Sequence, residues 1–288
     1  MSILDNIIAA ARRDLAKREH AVPFDDVQRR AHLAPAPIDV IDALRRGPGA
    51  VKIIAEIKRS SPSQGHIADI PDPAHLAHRY ESGGAAMVSC LTEREFFHGS
   101  LDDLAEVRQA VSIPVLHKDL VISSYQIHEA RAYGADAVLL VVAALEDNQL
   151  QCLIERTESL GMHALVEAQS RLEVFRALDA GARIIGVNAR DVDTLDIDRA
   201  HVAQVIDVIP AEVVAVAESG VRGTHDVFEY AQAGADAVLV GDVLVRSEVP
   251  EERVADMVSA GAHPALRADR KERVRRAVLD HTLRAGTV

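Results

Sequence analysis

The sequence predicts an α/β protein built on a closed (β/α)8 barrel, with a helical extension at its N-terminus. Four segments share one pattern, in which a helix-like stretch ends in a Gly-containing turn and an apolar, strand-like run follows. The hexapeptide Gly-Ala-Asp-Ala-Val-Leu occurs twice, starting at Gly134 and at Gly234. Glycine favours the left-handed end of a helix, and a continuous apolar run suits a strand that is covered on both faces. Repeated helix–strand units indicate parallel strands joined by helices.

Residues 1–50 are predicted to form the helical extension, which packs on the barrel. Residues 3–20 are amphipathic, because their apolar side chains recur at helical spacing. Two shorter helices are predicted at 25–30 and 38–44. The catalytic barrel is predicted to span residues 51–263.

Eight strand-like segments separated by helix-like ones lie within this range: 52–57, 86–91, 114–117, 137–142, 164–166, 184–187, 213–217 and 237–240. Ser100 and Ser170 are favourable N-caps for two of the intervening helices. No Gly-x-Gly-x-x-Gly motif follows the first strand, which is less consistent with an open doubly wound sheet. The predicted architecture is therefore a TIM barrel.

Composition favours a protein that acts on small molecules. The 288 residues include 32 Lys and Arg against 44 Asp and Glu, a net charge of −12 that argues against non-specific binding to nucleic acid. Residues 264–288 form a charged tail that is predicted to be helical or frayed, with a nucleic-acid arm as the less favoured interpretation. An anionic substrate must then be held by local donors.

No targeting or membrane segment is predicted, since the N-terminus has an early Asp and no apolar stretch approaches the ~18 residues of a span. Two unpaired Cys residues fit a cytoplasmic location. His75 and His78 lie three residues apart on a probable helix, but no third ligand accompanies them. No metal site is predicted.

Polar side chains end or follow the predicted strands, where a closed barrel gathers them around one mouth: Glu56, Lys58, Lys118, Glu167, Asn188, Glu218 and Ser219. A lysine that closes a buried strand is costly to desolvate and needs a reason. Lys118 either forms a structural ion pair, with Asp119 or a neighbouring Glu, or takes part in catalysis. Acids and bases gathered at one rim favour catalysis, because such neighbours adjust each other's pKa.

A phosphate site is predicted after the last two strands, where barrels often bind phosphate. Gly220 and Gly241 expose backbone N–H groups there, and a short helix after strand eight is predicted to point its N-terminus at the anion. Asp242 is expected to turn its carboxylate outward and to offer only its N–H. Ser61 in the first loop is a further donor. Arg190 either pairs with a carboxylate or is simply solvated.

Seven segments, in order, resemble the indole-3-glycerol phosphate synthase family of tryptophan biosynthesis over residues 3 to about 265. They begin with Ile-Ile-Ala-Glu-Ile-Lys-Arg-Ser-Ser-Pro-Ser from Ile53. Leu-Thr-Glu…Phe-His-Gly-Ser (91–100), His-Lys-Asp (117–119), Leu-Val-Glu (165–167), Ile-Gly-Val-Asn-Ala-Arg-Asp (185–191), Ala-Glu-Ser-Gly (217–220) and Leu-Val-Gly (239–241) follow. The resemblance implies a carbon–carbon lyase that needs no cofactor or metal. Such an enzyme closes the indole ring of 1-(2-carboxyphenylamino)-1-deoxyribulose 5-phosphate and releases carbon dioxide and water.

The resemblance also implies roles for individual residues. Lys118 corresponds to the general acid of ring closure, and Glu167 to the acid/base of the dehydration. Lys58 corresponds to the residue that holds the anthranilate carboxylate and assists as an acid. Further positions support catalysis or contact the substrate: Glu56 and Asn188 in support, Glu218, Ser219 and Gly220 lining the pocket, and Phe97 packing on the substrate. Leu120 departs from the family, which usually carries Phe there, so a smaller apolar wall is expected.

Two other activities fit the same residues. A sugar-phosphate isomerase would use a carboxylate base without decarboxylation, and a Schiff-base aldolase would use Lys118 as its nucleophile. A barrel retained only for binding would be expected to lose rim residues, and the rim here is complete. The expected partner is a small anionic substrate, an anthranilate-derived ribulose phosphate. The chain is expected to be a monomer or a weak homo-oligomer.

Overall fold

The computed structural model describes residues 2–45 and 50–266 and shows a closed barrel of eight parallel strands. Each strand pairs with its neighbours along the chain, and the last pairs with the first. The strands are β1 (Lys52–Ile57), β2 (Met87–Leu91), β3 (Val115–Lys118), β4 (Ala137–Val141), β5 (His163–Ala168), β6 (Ile184–Asn188), β7 (Val214–Glu218) and β8 (Ala237–Val240). The predicted fold class is confirmed.

Three helices precede the barrel: α1 (Ile3–Ala21), α2 (Phe24–Leu33) and α3 (Val40–Leu44). Ser2 caps α1 through a reciprocal pair of bonds with Asp5. The apolar face of α1 carries Leu4, Ile7 and Ile8 into the cluster inside the barrel, which also contains Leu120. The extension thus covers one end of the barrel interior.

The remaining helices surround the sheet: α4 (Pro73–Ser82), α5 (Leu101–Ala110), α6 (Ser124–Ala132), α7 (Asp147–Ser159), α8 (Arg171–Asp179), α9 (Arg199–Ile206), α10 (Thr224–Ala233), α11 (Asp242–Val245) and α12 (Pro250–Gly261). Outward-facing strand residues such as Ile53, Val88 and Val138 pack against this layer. A small hairpin pairs Ser60–Ser61 with Gly65–His66 directly after β1. This hairpin reaches over the mouth of the barrel.

The two copies of the repeated hexapeptide have the same structural role. Gly134 and Gly234 adopt positive φ angles of 91° and 110°, where a glycine meets no steric penalty. In each copy, the Asp two residues after the Gly accepts a hydrogen bond from a backbone N–H near the start of the preceding strand. Asp136 accepts from Val115 N in β3 at 2.8 Å, and Asp236 accepts from Ala215 N in β7 at 2.9 Å. The motif therefore ends a helix and aligns the next strand with its neighbour.

Several strands extend further than predicted. β3, β6 and β7 include Lys118, Asn188 and Glu218 as their last residues, and β5 runs through Glu167 to Ala168. Backbone pairing with the neighbouring strand holds these residues, so their side chains start from rigid positions. The division into extension, barrel and tail stays a prediction, and the charged tail beyond Leu266 lies outside the described residues.

Candidate active site

A cavity of about 540 Å³ opens at the carboxyl ends of the strands. Nearly all residues that the sequence singled out line it: Glu56, Lys58, Ser61, Phe97, Lys118, Leu120, Glu167, Asn188, Arg190, Ser219, Gly220, Gly241 and Asp242. The carboxyl ends of parallel strands meet at one mouth, which is why positions far apart in the chain converge. Glu218 is the exception and is considered below.

Lys118 and Lys58 flank the buried carboxylate of Glu56. Lys118 Nζ lies 2.7 Å from Glu56 Oε2, and Lys58 Nζ lies 3.0 Å from Glu56 Oε1. Burial acts to raise the pKa of Glu56, but the two lysine charges outweigh it and lower the pKa to about 2. Burial likewise acts to lower the pKa of Lys118, and the surrounding carboxylates overcome it and hold that pKa above its ordinary value. Lys118 is therefore a charged ammonium group.

Glu218 is not among the described residues that line the cavity, and its contact with substrate stays a prediction. Its side chain is 1% exposed, and its Oε2 lies 3.5 Å from Lys118 Nζ. Burial raises the pKa of Glu218 to about 8; Lys118 opposes the rise, and Glu167 and Glu56 add to it. The carboxylate fits there because Gly186, its neighbour on β6, has no Cβ; a Cβ at Gly186 would collide with Glu218 Oε1. Glu218 thus lies next to Lys118 and interacts electrostatically with Glu167 and Glu56.

Glu167 is oriented by an amide. Asn188 Nδ2 donates to Glu167 Oε1 at 3.0 Å, and Asn188 Oδ1 accepts from the backbone N–H of Arg190 at 2.9 Å. The guanidinium of Arg190 donates to Leu195 O at 2.9 Å. Arg190 is therefore tied to its own loop rather than to a carboxylate. The amide of Asn188 in turn fixes the direction of the Glu167 carboxylate.

Asp242 points into the mouth, which corrects the expectation that its carboxylate turns outward. Asp242 Oδ1 lies 2.6 Å from Lys58 Nζ, and Oδ2 accepts a hydrogen bond from Gln64 in the hairpin. The cause is the position of the hairpin, which brings Gln64 over α11. The amides of Asp242 and Val243 open α11 and have no partner within that helix.

Ser219 and Gly220, the other half of the predicted phosphate site, both have positive φ angles, 67° and 76°. Ser219 is held in this uncommon conformation by its carbonyl, which accepts from the hydroxyl of Tyr230 at 2.9 Å. Arg199 donates to the carbonyl of Gly220 at 3.1 Å. These bonds fix the directions of the two carbonyls, and Ser219, Gly220 and Arg199 all line the cavity.

The cavity has an apolar wall that the sequence identified only in part. Ile3, Leu4 and Ile7 of α1 line it together with Leu120. Their helical spacing was visible in the sequence, but nothing local showed what they face. Phe97 is positioned by Glu93, whose carboxylate accepts three backbone amides, from residues 95, 96 and 97, at 2.7 to 3.0 Å.

Other contributors to the site carried no recognisable signal. Gln64 and Arg246 line the mouth, and Gly186 makes room for Glu218. Within residues 2–45 and 50–266, three or more His, Cys, Asp or Glu side chains never come together in a way that could hold a metal ion. In the same part of the chain, every helix is too short or too polar to cross a membrane.

A charged lysine held by buried carboxylates at the mouth of a (β/α)8 barrel is an arrangement suited to acid–base chemistry, which indicates a barrel enzyme. Similarity to known proteins makes the assignment more specific. Residues 4–257 match the family model described as "Indole-3-glycerol phosphate synthase". The chain belongs to the indole-3-glycerol phosphate synthase family.

Proteins of that name from two bacteria are similar over most of their length. The one from Beutenbergia cavernae is 58% identical over 270 residues, covering 94% of this chain and all of that protein. The one from Mycolicibacterium vanbaalenii is 58% identical over 264 residues, covering 92% of this chain and 96% of that protein.

Solved structures support the fold alone. The 3-hexulose-6-phosphate synthase from Salmonella typhimurium superposes with a TM-score of 0.60 at 13% identity, over 73% of this chain and 97% of that one. The thiamine phosphate pyrophosphorylase from Pyrococcus furiosus superposes with a TM-score of 0.56 at 14% identity, over 74% of this chain and 96% of that one.

Proposed function

We propose that the chain closes the indole ring of 1-(2-carboxyphenylamino)-1-deoxyribulose 5-phosphate, releasing carbon dioxide and water without a cofactor. The observation that carries the proposal is the Lys118 ammonium, held 2.7 Å from Glu56 and 3.5 Å from Glu218 in a cavity that Glu167 also lines. Family membership supports the reaction, and the geometry supports the roles that follow.

Lys118 is the acid of the first step. The ring carbon that bears the carboxylate attacks the ketone carbon of the ribulose chain, and negative charge develops on the ketone oxygen. A fixed ammonium group stabilises that charge and delivers a proton to the oxygen. The carboxylate then leaves as carbon dioxide, and its bonding electrons restore the aromatic ring. Glu56 holds Lys118 in place.

Glu167 is the acid/base of the second step. The new hydroxyl leaves as water once it is protonated, and a proton leaves the carbon between this centre and the nitrogen. Loss of both groups creates the double bond of indole. A carboxyl group can give the first proton and accept the second, provided that it is correctly directed. The 3.0 Å bond from Asn188 Nδ2 supplies that direction.

The remaining cavity residues hold the substrate. Lys58 and Ser61 line the cavity together with the strand-end backbone at Gly220, Gly241 and Asp242, where we place the anionic groups. Phe97, Leu120 and the apolar side chains of α1 enclose the aromatic ring.

The two alternative activities fit the site less well. A Schiff-base aldolase needs a neutral lysine amine, and the carboxylates around Lys118 hold its pKa above the ordinary value and keep it charged. A sugar-phosphate isomerase would have no aromatic ring for the apolar wall of the cavity to enclose. Release of carbon dioxide separates the proposed lyase from both.

We also propose a cytoplasmic protein that is a monomer or a weak homo-oligomer and has no nucleic-acid partner. A net charge of −12 supports the absence of a nucleic-acid partner. Sedimentation velocity across a concentration series tests the oligomeric state.

The decisive experiment adds the carboxyphenylamino substrate to the purified protein and follows indole fluorescence together with carbon dioxide release. Lys118→Ala should reduce kcat by at least ~100-fold, the usual scale for loss of a positioned general acid. The matched control is Lys52→Ala, because Lys52 begins β1 at the opposite end of the barrel and should leave kcat unchanged. Wild-type turnover in Lys118→Ala, or no indole from the wild type, would overturn the proposal.

A further inference from the structure

A chain of charged and polar side chains crosses the mouth of the cavity. Glu56 contacts Lys58, and Lys58 contacts Asp242. Asp242 accepts from Gln64, whose own Oε1 accepts from Arg246 Nη2 at 2.7 Å. The chain joins β1, the hairpin that follows it and α11. All five side chains line the same cavity.

Lys58 has two carboxylate partners before any ligand arrives. Its ammonium lies 3.0 Å from Glu56 Oε1 and 2.6 Å from Asp242 Oδ1, and 16% of its side chain is exposed. One positive charge is thus already matched by more than one negative charge. An anionic substrate group can use Lys58 fully only if one carboxylate withdraws.

Asp242 is the partner that can withdraw. The Glu56 carboxylate is 3% exposed and is also held by Lys118, whereas the Asp242 side chain is 28% exposed. Asp242 Oδ1 is a buried atom that, despite its short distance from Lys58, has no partner in hydrogen-bond geometry among the described residues. The partly exposed Asp242 carboxylate is therefore freer to move than the buried carboxylate of Glu56.

A position for the displaced carboxylate is also present. Gln64 donates to Asp242 Oδ2, and Arg246 lies on the far side of Gln64. A small rotation of Asp242 away from Lys58 keeps the bond to Gln64 and brings the carboxylate nearer the Arg246 cation. The carboxylate would therefore remain hydrogen-bonded after it leaves Lys58.

We propose that Asp242 is an internal counter-ion of Lys58, which the phosphate group of the substrate displaces on binding. This inference rests on the proposed function, because it requires the substrate anion to reach Lys58. A phosphate dianion competes better than a carboxylate, since it carries more charge and three acceptor oxygens. Asp242 thereby selects dianionic ligands, and by returning to Lys58 it helps a phosphorylated product to leave.

The test is Asp242→Asn, which keeps the shape and an oxygen acceptor for Gln64 while removing the charge. We expect the Kd of inorganic phosphate, measured by titration calorimetry and as a competitive inhibitor, to fall by about tenfold. Asp242→Ser is a second charge-free variant that guards against a folding defect in the first.

The matched control is Glu248→Gln, which removes the same charge from an exposed position six residues along the chain. Its phosphate Kd should equal that of the wild type, which excludes an effect of net charge alone. An unchanged phosphate Kd in both Asp242 variants, with phosphate still competing against substrate, would overturn the counter-ion and leave the proposed function intact. Failure of phosphate to compete in the wild type would overturn the phosphate site and this inference together.

A double-mutant cycle separates competition for Lys58 from plain repulsion of phosphate by Asp242. In a Lys58→Gln background the counter-ion has nothing to neutralise, so adding Asp242→Asn should change the phosphate Kd less than about twofold. A tenfold gain in phosphate affinity in both backgrounds would mean that Asp242 repels phosphate directly, and it would contradict the proposal.

Discussion

At the scale of single residues, the site depends on where a side chain is missing as much as on where one is present. The buried Glu218 carboxylate occupies space that Gly186 leaves free on the neighbouring strand. From there its carboxyl group lies 3.5 Å from Lys118 Nζ. Gly186 therefore sets the position of a group on another strand and, through it, the surroundings of Lys118.

Gly186→Ala tests this dependence. The new methyl group would collide with Glu218 Oε1, so the carboxylate must move and its 3.5 Å contact with Lys118 must change. We expect kcat to fall by roughly tenfold, the low end of what misplacing a catalytic group costs. The control is Gly223→Ala, because Gly223 has an extended φ of 177° and no atom near the position of an added Cβ. Equal kcat values in the two variants would contradict the role of Gly186.

Glu218 also predicts a pH dependence of stability. Its pKa rises from 4.5 to about 8 on folding, so between these values the folded protein binds the proton that the unfolded chain releases. The free energy of unfolding should therefore fall as pH rises through this window. Glu218→Gln cannot lose a proton there, so its stability relative to the wild type should increase from pH ~5 to pH ~8. Urea unfolding at several pH values measures the difference, and a flat or decreasing difference would contradict the raised pKa.

At the scale of secondary-structure elements, α1 does more than cover the barrel. Ile7 both packs in the inner cluster and lines the cavity, whereas Ile8 packs in the same cluster without lining the cavity. Variants at Ile7 and Ile8 therefore distinguish the loss of a substrate contact from the loss of packing alone. An amphipathic pattern in sequence shows that such a face exists, but not which of its residues meet a ligand.

We expect Ile7→Ala to raise KM severalfold with little change in kcat, because it removes apolar surface from the wall around the aromatic ring. Ile8→Ala should lower the free energy of unfolding by about 1 kcal/mol, the amount expected for a half-buried side chain, and leave KM unchanged. Steady-state kinetics and thermal unfolding on both variants make the comparison. A KM that rises equally in the two would mean that α1 affects the site only through packing.

The strands and their polar ends were predictable because each is encoded locally: a Gly turn, a short apolar run and a charged residue at its end. Lys118 and Glu167 reach the cavity for that reason. The direction of Asp242 was not predictable, since it depends on Gln64, which lies 178 residues earlier in the chain. The place of Glu218 was not predictable, because only the pairing of β6 with β7 shows that Gly186 leaves room for its carboxyl group.

At the scale of the whole molecule, the two ends of the barrel have separate tasks. The carboxyl ends of the strands hold the cavity, and the opposite end holds the bonds that align the strands. Asp136 is the clearest example: it accepts from Val115 N, Arg108 Nη1 and Ile38 N at 2.6 to 2.8 Å, which joins the barrel to the N-terminal extension. Stability and chemistry can therefore be altered independently.

Asp136→Ala should lower the free energy of unfolding by ~3 kcal/mol, because it leaves a mostly buried guanidinium and two backbone amides without their acceptor. Its kcat at 25 °C should stay near that of the wild type. Asp179→Ala, at an exposed helix end, is the control and should change stability by less than ~0.5 kcal/mol. Denaturant titration and turnover measured on the same samples decide the outcome, and a loss of kcat in the folded Asp136 variant would contradict the separation.

The pairing of β8 with β1 determines when, during synthesis, the protein becomes an enzyme. A ribosome releases β1 early and β8 last, at roughly 5–20 residues per second. Until residues 237–240 emerge, β1 and β7 each keep an unpaired edge, and Lys58 has no Asp242 beside it. A nascent chain at that stage carries every strand but one and remains inactive, with two open edges of the kind that lead to aggregation. Its last strand both completes the catalyst and removes that hazard.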